Sequence, residues 1–253
     1  MIAPRDAAAV ILAAGVGARF GGGKVRAALD GRPLLAHVLA AVHYAGIGRV
    51  VVVLGRDAAA VLDAVREVEP AALERVLVAI NPAPERGLAT SLRLGFGAAA
   101  AAPTPSAKAP PAAPPLASPP AGVLVLLGDQ PRVRADVLRV LCDAVVSADA
   151  VAVVPRYAED AASNPVLLLP AGWPLVARLS GDSGLGPLLA ADPARVVRVA
   201  VPGANPDVDT PTDLAALADL AAVADLAAVA DPAAPPGPGD TADPALRSAG
   251  GRG

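Results

Sequence analysis

The 253-residue chain carries 21 Lys and Arg against 24 Asp and Glu, a net charge of −3, which excludes a general attraction to nucleic acid or an anionic membrane surface. One cysteine, Cys142, excludes an intrachain disulfide and gives no basis for a thiolate metal site. Hydrophobic residues make up 54% but aromatics only 2%, so the core must be Leu, Val and Ala. No apolar run approaches the roughly 20 residues that cross a bilayer. Arg5 ahead of Ala7 to Ala14 faintly resembles a signal peptide, but Asp6 weakens its charged region and the run leads into a candidate active loop. A cytoplasmic protein is expected.

Val10-Ile11-Leu12-Ala13-Ala14 is an apolar run that reads as a buried strand. Gly15-Val16-Gly17-Ala18-Arg19-Phe20-Gly21-Gly22-Gly23-Lys24 follows. Glycines let the backbone turn sharply and approach a ligand, and successive exposed N–H groups make an anion-binding concavity. With Arg19 and Lys24 flanking the glycines, the stretch reads as a loop that holds a phosphorylated ligand. A Walker A loop does not fit, because Gly17 to Gly23 is one residue too long and Val25 follows Lys24. A dinucleotide fingerprint fails at Phe20.

Pro33 suits the first position of a helix carrying Leu34, Leu35, Val38, Leu39 and Val42 at helical spacing. His37 and His43 lie on it without ligand partners nearby in sequence, which suits solvated or core histidines. Val50 to Leu54 is a second strand, Asp57 caps a helix to about Val68, and Val76 to Ile80 is a third strand. This β-α-β-α-β order argues for a parallel sheet with helices on its faces. Arg86 to Gly95 reads as a loop entering a helix whose N-terminus offers N–H groups and small hydroxyls. Residues 98–121 are almost wholly Ala, Pro, Ser and Thr and read as a disordered insertion on a surface loop. Beyond it, Gly122 to Leu127 is a strand that delivers Asp129 at its C-terminal end, where open α/β sheets bind ligands. A helix over Asp136 to Ser147 holds Cys142 as a packed residue, and strands follow at Ala150 to Pro155 and Arg195 to Val201. Thr210 caps a helix that begins at Pro211. Residues 218–230 repeat a helix-favouring Ala-Asp-Leu-Ala-Ala-Val pattern, and residues 231–253 read as a disordered tail.

The first loop resembles the signature L-A-A-G-x-G/S-x-R-x-G-x-x-K of the MobA-like NTP transferases, and within them the molybdenum cofactor cytidylyltransferases. The resemblance covers about residues 8 to 217 and implies a single three-layer α/β domain with a mostly parallel sheet, of the Rossmann-like nucleotide-diphospho-sugar-transferase type. It implies that Leu12, Ala13, Ala14, Gly15, Gly17 and Lys24 bind the nucleotide, and that Gly87 and Ser91 contact its base and sugar with Asn81 nearby. Gly128-Asp129-Gln130-Pro131 matches the family's L-G-D-x-P motif, and Asp207-Val208-Asp209-Thr210-Pro211-Thr212-Asp213-Leu214 its D-x-D-T-P-E-D-L run except at Thr212. These imply that Asp129 and Asp209 hold Mg²⁺, with Lys24, Arg19 and Asp129 as the catalytic set. Asn164 and Pro165 match a segment facing the second substrate, and Gly181 and Asp182 a loop near the same acceptor. The family's Arg-Gly pair before that segment is replaced by Ala162-Ser163.

The expected activity is transfer of a nucleoside monophosphate from an NTP to a phosphorylated acceptor, with release of pyrophosphate. Ala13-Ala14-Gly15 favours CTP over GTP, since guanylyltransferase relatives carry A-G-G with a following Asp-Lys pair. The favoured acceptor is Mo-molybdopterin. Transfer to molybdopterin from GTP, or to a sugar phosphate or other small phosphorylated acceptor, is the alternative. A non-catalytic nucleotide- or cofactor-binding protein is the alternative of another class. The resemblance is compatible with a monomer or homodimer and with delivery to a molybdoenzyme or its chaperone.

Overall fold

The apolar run expected as the first strand is β1, Ala7–Ala13, and every one of its residues is buried. A strand with no polar alternation belongs where both faces are covered. In the computed structural model, which describes residues 1–101, 119–159 and 163–230 (the side chains of 221–230 excepted), β1 is the third strand of a seven-stranded sheet. A two-residue ladder, β2 (Ala28–Leu29) against β3 (Arg32–Pro33), turns on Asp30 and Gly31 with φ of 51° and 73°, the left-handed pair of a tight hairpin. The large sheet continues with β4 (Arg49–Leu54), β5 (Val76–Ile80), β6 (Gly122–Leu127), β7 (Ala152–Tyr157), β8 (Val166–Leu168) and β9 (Val196–Val201). Its order is β5-β4-β1-β6-β8-β7-β9. The first four strands in that order are mutually parallel, β7 and β9 are parallel, and β8 runs antiparallel to both its neighbours.

Alternate residues of the sheet feed two cores. Ala7, Ala9 and Ile11 face α1 (Leu34–Ala45), α2 (Ala58–Val68) and α4 (Ala135–Asp143) through Leu39, Val61 and Leu138. Ala8, Val10 and Leu12 face α3 (Leu88–Ala100), α5 (Pro174–Arg178) and α6 (Gly186–Ala190) through Leu92, Val176 and Leu189. The result is the expected three-layer α/β arrangement. The outer helix layer lies close to the sheet at Gly95, where a Cβ would come within 2.4 Å of Val10 and 2.6 Å of Val53. The buried Arg49 holds the end of α3 by donating to the carbonyls of Ala99 and Ala101 at 2.5 and 2.8 Å.

Several boundaries differ from expectation. Pro33 sits in β3, just ahead of α1, because it pairs with Ala28 across the hairpin. Residues 98–100, expected in the Ala/Pro insertion, are the last turn of α3, with Ala99 packed in the core. Helix α4 stops at Asp143 instead of Ser147, and β7 starts at Ala152 instead of Ala150. Residues 102–118 of the insertion and the tail from 231 lie outside the described residues. Cys142 is buried in α4, and burial with the charge of Asp143 pushes its thiol up to about 11. His37 shares a 2.9 Å hydrogen bond with the Leu29 carbonyl, while burial lowers the pKa of His43.

The chain divides into two units, Met1–Leu214 and Ala215–Gly253. The described part of the second is helical, within α7 (Pro211–Ala230). Among the described residues no helix is long and apolar enough to cross a membrane.

Candidate functional site

Because β1 and β6 are parallel neighbours, with Leu12 opposite Leu127, their C-terminal ends open side by side. The crevice outside such ends is the ligand-binding position of open α/β sheets. From β1 the chain enters the glycine loop. Gly17, Gly21, Gly22 and Gly23 have φ of 60°, 85°, 95° and 64°, so the loop's path requires residues without a Cβ. One short 3₁₀ turn, Ala18–Phe20, lies between these hinges, and a second, Lys24–Arg26, follows the last of them. The Gly22 N–H donates to the Gly17 carbonyl at 3.0 Å, which folds the loop back on itself. A Cβ on Gly17 would stand 3.1 Å from that of Lys24. Leu12, Ala13 and Ala14 are buried at the loop's base, so what they present there is backbone.

From β6 the chain turns at Gly128, whose N–H donates to the Leu12 carbonyl at 2.9 Å. A Cβ there would meet that of Ala13 at 2.9 Å. The turn delivers Asp129 to the glycine loop. Lys24 Nζ lies 2.5 Å from Asp129 Oδ2 and 3.1 Å from Asp209 Oδ1. Arg19 reaches the other oxygen of Asp209 at 2.9 Å. The structure therefore brings together the four charged residues expected at the reacting centre, Arg19, Lys24, Asp129 and Asp209. Lys24 is mostly buried, with 14% of its side chain exposed. Burial pulls its pKa down, but the bonds and charges of Asp129 and Asp209 outweigh burial and raise it.

Asp209 is set in place by local chemistry. The Val208 N–H donates to the Asp129 carbonyl at 3.0 Å, joining the two acidic segments. The N–H groups of Asp209 and Thr210 donate to Asp213 Oδ2 at 3.0 and 2.7 Å, and the Asp213 N–H donates to Thr210 Oγ1 at 3.2 Å. This reciprocal cap starts α7 and fixes Asp209 just before it. Its bonds with Thr210 hold the Asp213 carboxyl below the usual carboxylate range. Asp207 sits behind the pair, where Gln130 Nε2 donates to it at 2.8 Å. Burial, then the charge of Asp129, raises its pKa.

Asn81 and Ser91 are buried and bonded to each other, Asn81 Nδ2 donating to Ser91 Oγ at 2.8 Å and to Thr90 Oγ1 at 2.9 Å. Gly87 begins α3 with φ 100°, and a Cβ on it would fall 2.2 Å from the Gly181 carbonyl carbon. The Ala89 N–H donates to the Gly181 carbonyl at 3.0 Å. The predicted nucleotide and acceptor segments thus touch here, and one N–H at the start of α3 is already bonded within the protein. Asp182 is exposed beside this contact. The carbonyl of Asn164, which precedes the cis peptide to Pro165, accepts from Asn205 Nδ2 at 3.3 Å, and Asn205 also donates to Gln130 Oε1 at 3.2 Å.

Next to the acidic centre is a cavity of about 400 Å³. It runs from Leu127 and Leu88 past Asn164 to Arg156 and Arg198. Of the four predicted acceptor residues, Asn164 lines it, while Pro165, Gly181 and Asp182 do not. The two arginines were not singled out from the sequence. The available signal was a lone cation inside an otherwise apolar strand, Val196 to Val201.

Among the described residues no three His, Cys, Asp or Glu side chains form a metal-holding group. The chain offers two carboxylates, and Asp129 Oδ1 is buried without a hydrogen-bond partner. That donor set suits a hard cation such as Mg²⁺, which takes one or two carboxylates plus phosphate oxygens and water.

Comparison with known proteins agrees with this fold. A model of the MobA-like NTP transferase domain matches residues 9–199. No curated protein matches the chain. Rv0371c from Mycobacterium tuberculosis H37Rv is similar in structure, with 29% identity and a TM-score of 0.64 over 84% of this chain and 97% of that one. A structure of Rv0371c in complex with manganese is similar over 84% of this chain and 98% of that one, with 27% identity and a TM-score of 0.60. The Methanothermobacter nucleotidyl transferase Mth528 shares the fold, with a TM-score of 0.62 at 21% identity over 86% of this chain and 98% of that one. With the domain model spanning most of the chain over a matching sheet and glycine loop, the protein belongs to the MobA-like NTP transferase family and is a nucleotidyltransferase.

Proposed function

We propose that the protein transfers a cytidylyl group from CTP to the phosphate of Mo-molybdopterin in the cytoplasm, releasing pyrophosphate. The observation that carries this reading is the Lys24 ammonium held between Asp129 and Asp209 at the mouth of the glycine loop. A protein that only bound nucleotide would have no need of two separated carboxylates converging on one cation beside a phosphate loop.

In the proposed reaction an acceptor phosphate oxygen attacks the α-phosphorus of the NTP in line. The bond from that phosphorus to the bridging oxygen breaks, and pyrophosphate leaves with the electron pair. Such a transfer needs little covalent help, so positioning and charge neutralisation do most of the catalysis. The loop N–H groups hold the triphosphate, and Arg19 and Lys24 neutralise it. Asp129 and Asp209 hold the divalent ion; their present cation, Lys24, shows that they accept positive charge at this point, and the unpartnered Asp129 Oδ1 is a free donor. Mg²⁺, when bound, supplies neutralisation of the phosphate oxygens. Rv0371c is known in complex with manganese, which supports a divalent ion in this fold. Ala13-Ala14-Gly15 in place of the guanylyl relatives' A-G-G supports CTP.

The test is calorimetric binding of CTP, GTP, ATP and UTP side by side with Mg²⁺. Selective CTP binding is expected. Preference for GTP moves the reading to guanylyl transfer, and preference for ATP or UTP to another acceptor. Binding of none of them refutes nucleotidyl transfer by this site.

A further inference from the structure

The cavity beside the acidic centre is lined by two arginines and no carboxylate. Val154 pairs with Arg198 across the parallel strands β7 and β9, and Arg156 is two residues beyond Val154. Val154 and Val196 both pack in the core under α3, α5 and α6. By the two-residue repeat of a strand, Arg156 and Arg198 rise from that same face, on strands roughly 5 Å apart. Ala200, opposite Arg156, leaves room between them. Neither arginine has an ion pair or hydrogen bond among the described residues. By contrast Arg49, in the same sheet, is committed to two backbone carbonyls.

Two unopposed guanidinium forks over one cavity suit an oxyanion, which each fork can bind bidentately. The rest of the lining is mostly apolar and includes Leu88, Leu127, Leu185 and Leu189. Crossing from β6 over β8 and β7 to β9 covers roughly 14 Å at ordinary strand spacing. We propose that Arg156 and Arg198 form an anion clamp, so that the cavity takes a ligand with an apolar body and a carboxylate or phosphate at its far end. Resting on the proposed function, this ligand is the acceptor, and it carries a second anionic group about 10 Å or more from the phosphate that reacts.

The test is calorimetry on the full chain at low salt, with phenyl phosphate, benzoate and phenol as probes. Phenyl phosphate or benzoate binds the wild type, phenol does not, and the tighter of the two anions tells whether the clamp takes phosphate or carboxylate. The double variant R156Q/R198Q binds that anion at least tenfold more weakly, whereas Arg19→Gln in the glycine loop leaves it unchanged. If the double variant fails to fold, Arg156→Gln and Arg198→Gln singly must each weaken binding. Unchanged binding in the clamp variants, equal binding of phenol, no binding of either anion, or loss in Arg19→Gln alone overturns the clamp. CTP binding with Mg²⁺ is measured in parallel. A wild type that binds no CTP but holds the anion through Arg156 and Arg198 defeats the nucleotidyl reading and leaves the clamp standing.

Discussion

Lys24 is tied to both carboxylates before any ligand arrives, so under the proposed metal assignment its ammonium would compete with a divalent ion for the same oxygens. Charge-assisted hydrogen bonds of this kind contribute about 1.5–3 kcal/mol, which is roughly tenfold or more in affinity. Lys24→Met should therefore tighten Mn²⁺ binding to the nucleotide-free protein by about tenfold, while lowering turnover at least a hundredfold. Weaker Mn²⁺ binding in that variant would show that Lys24 and the metal do not share these carboxylates. Cys142 makes a contrasting case. Its thiol is buried and its pKa is raised by burial, from 9.0 to about 11. A thiol reagent at pH 8 should label the unfolded chain and leave the folded one untouched. The sign follows from linkage: the folded state holds the proton more tightly, so this group's share of stability is present below pH 9 and is lost as pH rises toward about 11. Chemical denaturation between those values, compared with Cys142→Ala, checks it.

Elements position these residues through contacts that can be cut without removing a charge. The cap at the start of α7 holds Asp209 through Asp213, and Thr210 completes it. Thr210→Ala should cost about 1 kcal/mol of stability. It should also weaken Mn²⁺ binding although both carboxylates remain. A loss of stability with unchanged Mn²⁺ affinity would mean that the cap does not place Asp209. Gly87, at the start of α3, packs on the backbone of Gly181 and Asp182 in a left-handed conformation. Gly87→Ala should cost at least about 1–3 kcal/mol from backbone strain, read by thermal or denaturant unfolding. Gly186→Ala is its control, because nothing lies within 4 Å of a Cβ there.

At the scale of the molecule, the parts legible in the sequence were those with local signatures. β1 and β6 announced themselves as apolar runs, each followed within two residues by types that strands disfavour, Gly15 in one case and Gly128-Asp129 in the other. Asp209 was legible through the resemblance of Asp207 to Leu214 to the family's D-x-D-T-P-E-D-L run, and Thr210-Pro211 marks the helix start that follows it. Long-range contacts left no local trace. The antiparallel β8 is three residues long and carries no periodicity to read. The bond between Asn81 and Ser91, and the seat of Gly87 on Gly181, join segments whose sequences say nothing of each other. Arg156 and Arg198 were hidden for the same reason, as single cations on separate strands that only the β7–β9 register brings to one face.

Pyrophosphate release from CTP in the presence of Mo-molybdopterin and Mg²⁺, wild type against Asp129→Ala, tests the assigned centre most directly. The expected result is release that requires CTP and acceptor together and falls at least about a hundredfold in the variant, the scale of losing a main electrostatic element. Near-wild-type release by Asp129→Ala would contradict the assignment of Asp129 and Lys24 as the reacting centre.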